Sequence, residues 1–169
     1  MAKFPGSSLV VYSRIARTPS VVYMVGLTMT GTSYGLQVTA VSASSGEVIT
    51  SKRIPSAIHN GLTDFLVLSD TSDDDANPCV VWLEEGHLKF VLLTPELDEK
   101  PKVMKGAAIK SILNIGLNDR GHFVALRKDG TGLAMRLDKD SRGLSLIWEF
   151  AESVSHIEYL EVSTRINSK

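Results

Sequence analysis

The sequence predicts an all-β protein built from propeller-type blades, about three of them, with a β-sandwich as the alternative architecture. Three observations predict it. Short runs rich in Val, Ile, Leu, Tyr and Thr alternate with polar residues, the period of a half-buried strand. Gly, Asp, Asn and Pro turn signals separate these runs. The glycines taken as hairpin marks, Gly35, Gly86 and Gly130, recur at steps of 51 and 44 residues. A repeat of roughly 40–50 residues with four short strands is the signature of propeller blades.

The elements follow in order. Ser20 to Thr30 reads as a strand that ends at Gly31. Leu36, Val38 and Ala40 then share one face of the next strand, with Gln37 and Thr39 on the other. Ser44-Ser45-Gly46 turns the chain into Glu47–Lys52, and Pro55 closes the unit. Further strands are expected at Phe65–Ser69, Cys79–Glu84, Leu88–Thr94, Ile112–Leu117, His122–Lys128, Gly132–Asp138 and Leu144–Phe150. Glu85-Gly86 and Asp129-Gly130 supply hairpin turns, since Gly tolerates positive φ freely and Asp better than most residues. Ala151–Leu160 suits one or two helical turns or a strand. The units run roughly over 20–55, 62–106 and 110–150 within a single domain of 1–169, and the polar stretch Asp70–Pro78 explains the longer first step as a loop insertion. The sandwich remains open because its strands also recur every 8–12 residues or so.

Composition narrows the function. A chain of 169 residues, 43% of them hydrophobic, carries one ordinary core. With 18 Lys+Arg against 19 Asp+Glu, and no basic stripe interleaved with aromatics, a nucleic-acid partner is not expected. The single cysteine excludes a disulfide framework and any multi-cysteine metal site. The longest apolar run, Val21 to Leu27, is far short of the roughly 20 residues of a membrane helix. Met1 to Ser8 has a basic residue but no apolar signal core, so the chain reads as a cytosolic protein or as an excised piece of a larger one.

The motifs tested for chemistry assign no catalytic, cofactor-binding or metal-binding residue. Gly31-Thr32-Ser33-Tyr34-Gly35 matches the string of a nucleophile elbow, but a strand pattern follows where a helix is needed. Asp70-Thr71-Ser72-Asp73-Asp74-Asp75-Ala76-Asn77 gathers four carboxylates that attract Ca²⁺ in principle, without the ligand alternation, central Gly or closing Glu of an EF-hand loop. His59, His87, His122 and His156 fall in different units, with no zinc-type spacing. Cys79 lies in an apolar strand and reads as a small buried residue rather than a nucleophile. Trp82 and Trp148 read as large packing residues near blade edges. Lys100, Lys102 and Lys105 follow the acidic stretch Glu96–Glu99, which reads as an exposed loop or edge strand.

The segment Leu36 to Ile49, with its Ser-Gly-Glu turn, resembles the quinoprotein-type propeller repeat, and Met135–Asp138 followed by Leu144–Trp148 echoes it. Leu9–Arg14, Gly61–Ser69, Leu92–Leu97, the spacing of Ile54-Pro55-Ser56 and Ile147–Ala151 are similar to the lumenal propeller of subunit 1 of the endoplasmic-reticulum membrane protein complex, in its fungal form. That resemblance implies a lumenal fragment of a large single-pass subunit in an insertase for tail-anchored and multipass membrane proteins. Its partners would be the other subunits of that complex, and membrane-protein clients. The signal peptide and membrane helix of that family are not found in this sequence. The expected function is therefore a non-enzymatic scaffold without cofactor, binding through an exposed blade edge and through the loops Asp70–Pro78 and Glu96–Lys105. A quinone-dependent dehydrogenase fragment and a stand-alone cytosolic β-sandwich binding domain are the alternatives.

Overall fold

A computed structural model describes residues 9–30, 33–58, 65–69, 76–104, 108–114, 121–138 and 143–150. Among the described residues, twelve strands form three four-stranded antiparallel sheets, none closed into a barrel. The first sheet joins β1 (Leu9–Arg17), β2 (Val21–Thr30), β3 (Ser33–Ser42) and β4 (Val48–Ile58) in chain order. The second joins β5 (Phe65–Leu68), β6 (Cys79–Glu84), β7 (His87–Leu92) and β8 (Lys102–Val103) in the same order. The third joins β9 (Ile109–Asn114), β10 (His122–Arg127), β11 (Gly132–Asp138) and β12 (Gly143–Phe150). Each sheet is thus an up-and-down meander of the propeller-blade type. The first strands lie together, β1 against β5 and β5 against β9.

Local chemistry makes the turns. Thr18 accepts from the Val21 amide through its hydroxyl at 3.1 Å and donates its own amide to the Val21 carbonyl at 2.8 Å, closing the turn between β1 and β2. Gly46 sits at φ 73° in the Ser-Ser-Gly turn, and the Ser42 amide donates to the Glu47 carbonyl at 2.8 Å. Asp129 accepts from both the amide and the hydroxyl of Thr131, at 2.9 and 2.7 Å, so these bonds hold its exposed carboxyl below the usual range.

Two apolar layers hold the sheets together. Tyr23, Val25, Leu27, Leu36, Val38 and Ala40 of the first sheet meet Phe65, Val80, Trp82 and Val91 of the second. On its other face the second sheet turns Leu66, Cys79, Val81 and Phe90 toward Phe123, Ala125, Leu133 and Met135 of the third. The middle sheet is therefore buried on both sides, which is why Cys79–Leu83 is an unbroken apolar run. Each fully buried side chain of this size contributes about 1.5–3 kcal/mol of transfer free energy.

Three details differ from the sequence reading. Gly35 is not a hairpin residue: it lies inside β3 opposite Thr28, where a Cβ would come within 2.8 Å of the Arg53 guanidinium. Pro55 does not close its unit, because β4 runs on to Ile58 as the outermost strand of its sheet, where a missing N–H is tolerated. Two strands, β1 and β8, were not expected as such; β8 falls in the stretch read as a loop or edge strand.

Candidate functional site

Part of the stretch expected to bind, Glu96–Lys105, borders a cleft between the first and second sheets through Leu97–Pro101. Leaving β7, the chain makes a turn in which the Leu97 amide donates to the Thr94 carbonyl at 3.1 Å. The Thr94 hydroxyl donates to an Asp98 carboxylate oxygen at 2.8 Å, turning that charge back on its own loop. Leu97 adopts φ 52°, a left-handed conformation that costs a γ-branched residue roughly 1–2 kcal/mol. Its side chain is buried in the layer between the sheets, and that burial, about 1.5–3 kcal/mol, outweighs the strain. The Leu97 carbonyl accepts from Lys52 Nζ at 3.0 Å, so a lysine of β4 ties the first sheet to this loop.

The resulting cleft has a volume of about 210 Å³. Val38, Ile54, Val91, Leu93 and Leu97 make apolar walls, while Lys52, Arg53, Asp98, Glu99 and Lys100 stand among its lining residues with charges of both signs. Among the described residues, no histidine, cysteine or hydroxyl residue lines it. The apolar walls suit an apolar side chain, beside charged groups of both signs.

The second exposed feature is β12, the outermost strand of the third sheet. Leu146 and Ile147 are each 49% exposed and Trp148 is 65% exposed. A bulge falls between the pairs Ala134↔Trp148 and Met135↔Leu146, leaving Ile147 as the extra residue. Trp148 is thus not a packing residue as the sequence suggested. Its partner on the same strand ladder, Ala134, lies between Leu133 and Met135, which face the second sheet, so Trp148 stands on the opposite, outward face. The outward face of the first sheet carries a polar network, in which Gln37 donates to the Ser51 hydroxyl at 2.9 Å and the Thr39 and Ser51 hydroxyls bond at 2.8 Å. Both outward faces are mixed: Ile15 and Val48 are exposed on the first sheet, and Ser145 donates to Asp138 on the third.

The remaining sequence candidates are dispersed. Ser33 opens β3 opposite Thr30, with strand following it. His87 pairs opposite Glu84 in the second sheet and His122 opposite Arg136 in the third. His59, His156, Lys105 and Asp70–Asp75 lie outside the described residues. Among the described residues no three His, Cys, Asp or Glu side chains come together as a metal cluster. Cys79 is fully buried between Leu68 and Leu92, and burial pushes its thiol up to about 12. Trp82 is fully buried and donates from Nε1 to Glu84 at 3.0 Å, while Lys89 Nζ meets the other oxygen of that carboxylate at 2.6 Å. Lys52 and Ile54 had no sequence signal as site residues, because only the stacking of two sheets brings them beside the Leu97 loop.

No protein-family model matches the chain, and no characterised protein matches it in sequence.

Proposed function

We propose that this chain is a non-catalytic interaction scaffold, a lumenal blade-built part of an endoplasmic-reticulum complex that inserts tail-anchored and multipass membrane proteins. The observation that carries the scaffold reading is the exposed run Leu146–Trp148 on an outermost strand. Apolar aromatic surface of this kind, on a rigid sheet, is what protein interfaces bury at their centres. The inter-sheet cleft adds a second place for an apolar side chain. The assignment to that complex rests on the quoted stretches from Leu9–Arg14 to Ile147–Ala151.

The test is site-specific photo-crosslinking of the full-length protein in isolated microsomes. A crosslinker at Trp148 is expected to give adducts with integral membrane subunits, whereas one at the exposed turn residue Ser45 gives none. Absence of adducts from Trp148, in a protein that does not sediment with membranes, overturns the proposal.

A further inference from the structure

Arg14 stands where the first strands of two sheets meet. Tyr12 and Arg14 are two residues apart on β1, opposite Leu27 and Val25, so both lie on the side of the strand that faces the second sheet. Phe65, the first residue of β5, reaches them from that sheet; its ring meets the Tyr12 ring edge-on at 5.9 Å and 71°. The Arg14 guanidinium carbon lies 5.3 Å from the Tyr12 ring centre and 5.8 Å from that of Phe65. Two rings thus hold the guanidinium, one of them fully buried.

Its hydrogen bonds are what call for explanation. Arg14 Nε is shut off from solvent and has no acceptor, and no carboxylate of a described residue lies within ion-pair distance of the group. A guanidinium carries five donors in a rigid planar fork that matches a carboxylate two bonds at a time. Stacking on aromatic faces, with Nε enclosed, leaves the two terminal nitrogens of that fork as its open bonding direction. β1 is also an edge strand of its sheet, with Ser13 and Ile15 exposed on either side of Arg14. An edge strand offers main-chain N–H and C=O groups to an extended chain.

We propose that Arg14 is a carboxylate-docking residue, taking the Asp or Glu side chain of an extended segment of a partner protein laid along β1. This deepens the reading of the chain as an interaction module but is tested independently of the membrane complex. Tyr12 and Phe65 hold the fork in place, and the strand edge supplies the rest of the contact. The arrangement selects a flat anion on an extended chain over a free anion.

The experiment follows the Arg14 Nε–H resonance in the whole chain labelled with ¹⁵N-arginine, assigned by its loss in Arg14→Lys. The titrants are the capped peptide Gly-Val-Glu-Val-Gly, the same peptide with Gln for Glu, sodium acetate and inorganic phosphate. A saturable downfield shift is expected with the Glu peptide, with the Gln peptide and acetate at least about tenfold weaker. Arg14→Lys, which keeps the charge and loses the fork, is expected to bind the Glu peptide about tenfold less tightly at an unchanged melting temperature, read by changes at neighbouring amides. Equal binding of the Glu and Gln peptides, phosphate binding as tight as the Glu peptide, or no shift with any titrant each overturns the assignment. Failure here leaves the Trp148 crosslinking result untouched, and the reverse holds too.

Discussion

Tyr23 and Cys79 show what burial does to an ionisable side chain. The Tyr23 hydroxyl is buried without a hydrogen-bond partner, and burial, helped by the charge of Glu96, pushes it from 10.0 up to about 12. The Cys79 thiol rises from 9.0 to about 12, again through burial. Both groups are neutral in the folded and unfolded chain below pH 9, so their contribution to stability is complete there. Above it the unfolded chain releases protons that the folded chain keeps, and stability falls as the pH climbs from about 9 to 12. Urea midpoints measured across that range are expected to decline, and iodoacetamide at pH 8 is expected to leave Cys79 unmodified until denaturant is added. A flat midpoint, or alkylation of the native protein at the denatured rate, contradicts this account.

Among the elements, the hairpin between β6 and β7 is the most telling. Glu85 and Gly86 have φ of 52° and 79°, the two positive values of a type I′ turn. Glycine accepts this conformation freely; glutamate accepts it at a cost that asparagine largely avoids. Glu85→Asn is therefore expected to stabilise the protein by about 0.5–1 kcal/mol, read as a higher urea midpoint at unchanged slope. The same hairpin shows how far the sequence could be read. Cys79–Glu84 was legible to the residue, because an unbroken apolar run between a Pro and a Gly turn has few other uses. β1 was not legible as a strand, since its pattern is inverted: Arg14 faces the core on its aromatic rings while Ile15 is 69% exposed. β8 has only two residues, too few to carry a period. The cleft was half visible: its loop stood out as polar and charged, but its walls come from strands of two sheets.

For the molecule as a whole, stacking order decides which residues hold the fold and which remain available. Among the described residues, Trp82 lies in the sheet covered on both faces and Trp148 on the outermost strand of a sheet covered on one. No reading of two apolar runs, each with a tryptophan, separates these fates. Trp82→Ala is expected to cost on the order of 3–5 kcal/mol, while Trp148→Ser leaves the melting temperature close to wild type. Single-tryptophan variants give the matching optical result: the fluorescence of Trp82 is blue-shifted and resists iodide, whereas that of Trp148 is red-shifted and readily quenched. Equal quenching of the two contradicts the stacking described above.

Covering the middle sheet on both sides has one more consequence, for how β6 finds its alignment. A strand with one wet face announces its own phase, because sliding by one residue would put apolar groups in water. From Cys79 to Leu83 both faces are dry, and a slide by one would trade Val80 for Val81 with little change in burial. The apolar residues therefore carry almost no phase information. Phase must come from the two-residue hairpin at Glu85-Gly86 and from Glu84, which takes hydrogen bonds from Trp82 and Lys89 at once. The most buried strand of the protein is aligned by its few polar atoms and by a turn at its end.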